Sequence, residues 1–220
     1  VSLRRIRTFF LPDRGALRPV PYAVVAAAGI LAGTWLGAYG PGARLEWNLY
    51  DFYTRRAIAG ATPAPGVVVV AIDEPSFTEI GLPWPWPRAL HGAVIDRIAE
   101  GGARTIAVDI LFDVPAARPE DDHALAEAMT RAGNVVLATD QAVIDDRAYA
   151  LTQWTDPIPL LADAAAGLGV VRIPYDPDGV LRRTWLTLEG RKSLALAVAS
   201  REPGFRDPGD GLDRPRLFRF

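Results

Sequence analysis

The chain has no cysteine, and in 220 residues it has only one lysine, Lys192, one methionine, Met129, and two histidines, His91 and His123. Without cysteine there can be no disulfide, no thiolate metal site and no cysteine nucleophile, although every redox compartment stays open. The two histidines show neither HExxH nor any paired spacing, which leaves zinc chemistry poorly supported. There is no GxSxG elbow, no P-loop, and no GxGxxG after any apolar run, so the common hydrolase and nucleotide-binding signatures fail one by one. A formal net charge of −2 supplies no bulk field for nucleic acid. The near-absence of lysine among 24 basic residues, beside abundant Ala and Gly, is the composition of a GC-rich bacterial genome.

What is present begins with an uncharged run over residues 20–40, VPYAVVAAAGILAGTWLGAYG. Its 21 residues suffice to cross about 30 Å of hydrocarbon at about 1.5 Å per residue. Arg4, Arg5, Arg7, Arg14 and Arg18 precede it, and Arg44, Arg55 and Arg56 follow, a bias that places residues 1–19 in the cytoplasm and the main domain outside. The alternative is a cleaved signal peptide, but the run is long for one and no Ala-x-Ala site follows. Gly29, Gly33 and Gly37 form a stripe suited to helix self-association, or reflect only the ordinary glycine content of such helices. A juxtamembrane helix is expected over residues 44–60.

The stretch from Val67 to Phe112 organises the rest. VVVVAID reads as a buried strand, ALHGAVIDRIAEGG as an amphipathic helix with Leu90, Val94, Ile95 and Ile98 inward, and ARTIAVDILF as a second buried strand. About 30 residues separate the strands, enough for a right-handed crossover. The loop between them carries WPWP, either an aromatic recognition surface or a proline-started, apolar-stapled helix entry. Glu120, Asp121 and Asp122 open the next helix as macrodipole residues. Val135 to Thr139 reads as a third strand, residues 141–149 as a loop, and residues 157–166 as a helix. Residues 169–173 and 180–188 read as strands of a hairpin turning at YDPDG. Residues 201–220 lack any period and read as disordered.

Asp73, Glu74, Asp109, Asp113 and Asp140 fall at or just beyond strand ends, where open α/β sheets hold ligands. Three readings stay open: capping and pairing with Arg88 or Arg104, a small-ligand site, or a Mg²⁺ site for hydrolysis. The candidate ligand-binding residues are Asp73, Glu74, Trp86, Arg88, Asp109 and Asp113. No catalytic residue, no metal ligand and no cofactor is assigned.

The run AIDEPSFTEIGLPWPWPRALHGAVIDRIAEGGARTIAVDILF resembles a CHASE domain of the second type, the cyclase/histidine-kinase-associated sensory extracellular domain. NLYDFYTR, AGNVVLA, DPDGVLRR and SLALAVA extend the likeness over roughly residues 46–200. The resemblance implies a non-catalytic, extracytoplasmic input domain of a bacterial membrane receptor that takes a small-molecule or protein signal. A typical member continues into a cyclase or kinase output domain. Against that pattern this chain reads as truncated, with its sensory domain over residues 61–200. The fold expected is α/β: β-α-β units forming a largely parallel sheet with flanking helices, preceded by one transmembrane helix.

Overall fold

The computed structural model describes residues 19–39, 41–59, 66–146, 149–206, 208–209 and 215–217. Residues 1–18, 40, 60–65, 147–148, 207, 210–214 and 218–220 lie outside them, together with the expectations that fall there. The chain divides into two compact units, Val1–Val68 with Phe220, and Val69–Arg219.

The first unit holds α1, Pro19–Tyr39, and α2, Pro41–Ile58. Pro41 starts α2 at a position where its missing N–H costs nothing. Tyr22, Val24, Val25, Ile30, Leu31 and Trp35 of α1 are all exposed, and nothing lies within 4 Å of a Cβ built on Gly29, Gly33 or Gly37. Among the described residues no helix is long and apolar enough to cross a membrane. The structure therefore shows a helix over the apolar run but not the membrane-crossing segment expected of it.

The second unit is mixed α/β. In order it comprises α3 Glu74–Ile80, α4 Arg88–Glu100, β1 Ile106–Val108, α5 Pro119–Ala132, β2 Val135–Asp146, β3 Tyr149–Thr155, α6 Pro159–Ala164 and β4 Gly167–Val170. There follow short pieces: β5 Arg183–Thr184, β6 Thr187–Leu188, β7 Arg191–Lys192, α7 Leu194–Ala199 and β8 Arg216–Leu217. The central strand is β2. Its first half pairs parallel with β1 on one side and β4 on the other, and its second half pairs antiparallel with β3.

Side chains alternate across the sheet, so each strand feeds two faces. On one face Ile106, Val135 and Leu137 meet Ile95 of α4, Leu125 and Met129 of α5 and Leu161 of α6 in one core. On the other, Val136 and Ala138 are fully buried and α7 approaches closely: a Cβ on Gly169 would stand 2.4 Å from the Leu194 Cα, so only glycine fits. Helices thus cover both faces of the parallel portion.

Several expectations are corrected. VVVVAID is not a strand: residues 67–73 have no ladder partner among the described residues, and Val67 to Val70 are 61–85% exposed. The strand read over 103–112 shrinks to three residues, Ile106–Val108. An unforeseen α3 fills the loop before WPWP, because the Asp73 carboxylate accepts from the Ser76 N–H and Gly81, at φ 65°, closes the far end. In α4, Arg88, His91 and Gly92 face inward with Ile95, while Val94 is 41% exposed. Residues 141–146 and 149 are not a loop; they continue β2 and begin β3.

The expected hairpin of 169–173 with 180–188 does not form. β4 adds parallel to β2, β5 pairs with β8, and β6 with β7. The turn itself is present, with Gly179 N–H donating to Asp176 C=O at 2.8 Å. In the tail, Arg216–Leu217 form a strand where none was expected. Glu202 there pairs with Arg104 at 3.1 Å.

Candidate functional site

The six expected binding residues separate into two sets. Asp73, Glu74, Asp109 and Asp113 are solvent-exposed. Asp73 is engaged by α3: hydrogen bonds from the Ser76 hydroxyl and N–H hold its carboxyl below the ordinary carboxylate range. Glu74 is the first residue of the same helix. Among the described residues no group of three or more His, Asp or Glu is arranged to hold a metal ion. The strand-end acids therefore form no described cation site.

Trp86 and Arg88, by contrast, are buried together. One guanidinium nitrogen of Arg88 donates to the Asp122 carboxylate and the other to the Val114 carbonyl. The second Asp122 oxygen accepts from Ala116 N–H at 3.0 Å. The guanidinium also lies 5.1 Å from the centre of the Phe112 ring. This pair, at the starts of α4 and α5, fastens the loop that leaves β1. Both charges are out of water, a cost that only such full hydrogen bonding offsets.

Aromatic rings surround the pair. Trp86 contacts Phe77 at 5.1 Å and Trp84 at 5.7 Å, and His91 stacks on Trp86 at 6.3 Å while meeting Phe112 edge-on at 5.8 Å. The Trp86 indole N–H donates to Leu82 C=O at 3.0 Å, so its polar atom is satisfied. Burial, and then the Arg88 charge, push the His91 pKa below its ordinary value. The two tryptophans of WPWP have different fates. Trp86 belongs to the core, whereas Trp84 is 47% exposed.

A second polar group lies where β2 passes from its parallel to its antiparallel half. The Thr139 hydroxyl donates to Asp156, which also receives Arg191, and Arg191 lies 4.0 Å over the Trp154 ring. Partial burial raises the Asp156 pKa, but hydrogen bonds from Thr139 and Arg191 outweigh it and leave the value lowered. Arg172 donates to Gln141 C=O at 2.6 Å. Further on, Arg182 is buried between Asp176 at 3.1 Å and Asp178 at 2.8 Å, and it draws the Asp178 pKa down to about 2.

Sequence reasoning missed these arrangements. Asp122 reads as a dipole residue, and its partner Arg88 is 34 positions away. His91, on one side of the amphipathic helix, reads as a surface or satisfied histidine and not as a ligand. The available signal was the inward spacing of Arg88, His91 and Ile95 on α4. An open groove of about 580 Å³, lined by His123, Glu127, Arg131, Leu160 and Asp163 among others, includes none of the expected residues.

The class defined by this geometry is an α/β module in which the buried charges fasten loops to helices, and in which the described residues form no recognisable nucleophile–base or metal constellation. The CHASE2 domain model matches residues 24–208, and the chain belongs to that family, whose members are extracellular sensory domains of signalling receptors. No curated protein and no solved structure matches the chain.

Proposed function

We propose that this chain is the sensory input module of a bacterial signalling receptor, lying outside the cytoplasm, binding a small-molecule or protein signal and performing no catalysis itself. The observation that carries the reading is the family match over residues 24–208. The geometry supports it in a second way: Arg88, Asp122, His91 and Trp86 are committed to one another, as structural groups are. In this reading Trp84, Asp73, Glu74, Asp109 and Asp113 are the side chains accessible to a signal, and Trp86 and Arg88 hold their loops in place. The exposed apolar side chains of α1 favour attachment to lipid or to the same helix of a second copy through Gly29, Gly33 and Gly37.

Reporter fusions joined after Leu188 in a bacterial host test the location. An extracytoplasmic phosphatase should be active there and a cytoplasmic galactosidase inactive; the reverse pattern would sink the proposal. The competing reading, a Mg²⁺-dependent hydrolase using the strand-end acids, gains no support from the exposed positions of Asp109 and Asp113. Titration calorimetry with Mg²⁺ or Mn²⁺ should give no saturable heat. Stoichiometric binding would restore it.

A further inference from the structure

Where β2 leaves its parallel half, a buried donor has no acceptor. Gln141 is 5% exposed, and its side-chain amide nitrogen has no hydrogen-bond partner among the described residues. An unpaired buried donor weakens a fold, and native structures keep few of them. Gln141 sits just past the carboxyl end of the parallel pairing, which runs to Leu137 against β1 and to Thr139 against β4. That end of an open α/β sheet is where ligands bind.

The same face of β2 gathers further donors. Thr139, two residues back, shares that face with Gln141. Trp154 lies directly across the antiparallel ladder from Gln141, so their side chains are neighbours. Arg191 lies 4.0 Å over the Trp154 ring and donates to Asp156, which also receives the Thr139 hydroxyl. On the other flank, Val171 N–H carries the β4 ladder on to Thr139 C=O, and the exposed Arg172 donates to Gln141 C=O at 2.6 Å. The two guanidinium groups and the Asp156 carboxylate sum to one positive charge. A single carboxylate balances that, and a phosphate dianion exceeds it.

We infer that Gln141, Arg172 and Arg191 form a binding site for a small organic monocarboxylate. Its oxygens accept from the Gln141 amide and from guanidinium N–H groups, while Trp154 and Asp156 position Arg191. The amide is sealed from water in this structure, so entry requires the partly exposed Arg191 side chain to shift on the Trp154 ring. Asp140, whose Oδ1 is also unpaired among the described residues, faces the other side of the sheet and takes no part. In naming a class of signal the inference rests on the sensory reading, but the reporter fusions judge location alone and the titration below judges this site alone.

The test is urea unfolding of the full chain in rising sodium acetate, with sodium chloride at equal ionic strength as the control. Acetate should raise the midpoint saturably, as a ligand of the folded state does, and inorganic phosphate should raise it less. Gln141→Met removes the unpaired donor at similar volume, so its own midpoint should equal or exceed that of the unaltered chain. Its apparent dissociation constant for acetate should rise at least about tenfold. Arg172→Gln, at an exposed position, should weaken the acetate response likewise. An acetate effect no larger than that of chloride would overturn the inference, as would one that either variant keeps or that phosphate exceeds. A Gln141→Met midpoint well below that of the unaltered chain would show that the amide is already bonded within the fold, and would overturn it too.

Discussion

Two runs of this chain have almost the same composition and opposite surroundings. Val135–Ala138, VVLA, is wholly buried, while Val67–Val70, VVVV, is 61–85% exposed. Both are apolar and begin with β-branched valines, and both come shortly before an aspartate. The difference lies in what flanks them. VVLA has β1 on one side, β4 on the other, α4 to α6 over one face and α7 over the other. VVVV has no strand partner among the described residues. Hydrophobicity makes a segment able to be a central strand; neighbours on four sides make it one.

The comparison can be pressed with substitutions. The largest effect belongs to the clamp that closes the covered region. Asp122→Ala leaves the buried Arg88 charge unpaired and should cost about 3–5 kcal/mol in urea unfolding, whereas the double change Arg88→Met with Asp122→Leu should recover most of that loss. Leu137→Ala, in the centre of the covered run, should cost about 2–5 kcal/mol. Gly169→Ala sets a methyl against the Leu194 backbone and should cost about 1–3 kcal/mol, read as a lower midpoint with an unchanged slope.

Smaller effects follow. The His91 pKa is lowered in the fold, so the unfolded chain binds the proton more readily, and stability should fall as pH drops below about 6.5. His91→Gln should flatten that dependence between about pH 5 and 7. The smallest effect is expected on the bare run, where Val68→Ser should change stability by less than about 0.5 kcal/mol. A loss there as large as that for Leu137→Ala would erase the distinction between the two runs.

Elements specified by local signals were legible in the sequence. The α4 and α5 helices fall where apolar period and glycine stops put them, Arg88–Glu100 and Pro119–Ala132 with Gly133 at φ 67°. The start of β2 at Val135 was equally plain. Features that depend on distant partners were not. Residues 141–146, QAVIDD, become strand because residues 149–155 return beside them, and a local reading of Asp140-Gln141 as a strand stop hides that. The Arg88–Asp122 clamp joins two helix starts that nothing in the sequence couples. The candidate site was half legible: Trp86 and Arg88 are brought together, but as a packed group, and the acids read as converging on a strand edge remain in water.

The most direct test of this account is native-state hydrogen exchange, resolved by peptide, over Val135–Thr139 and Val67–Asp73 in the same sample. The account predicts protection of Val135–Thr139 near the limit set by global unfolding. It predicts protection at least about a hundredfold weaker over Val67–Asp73, which has no ladder partner among the described residues. Equal protection of the two runs would contradict it, because composition, and not cover, would then decide which stretch belongs to the sheet.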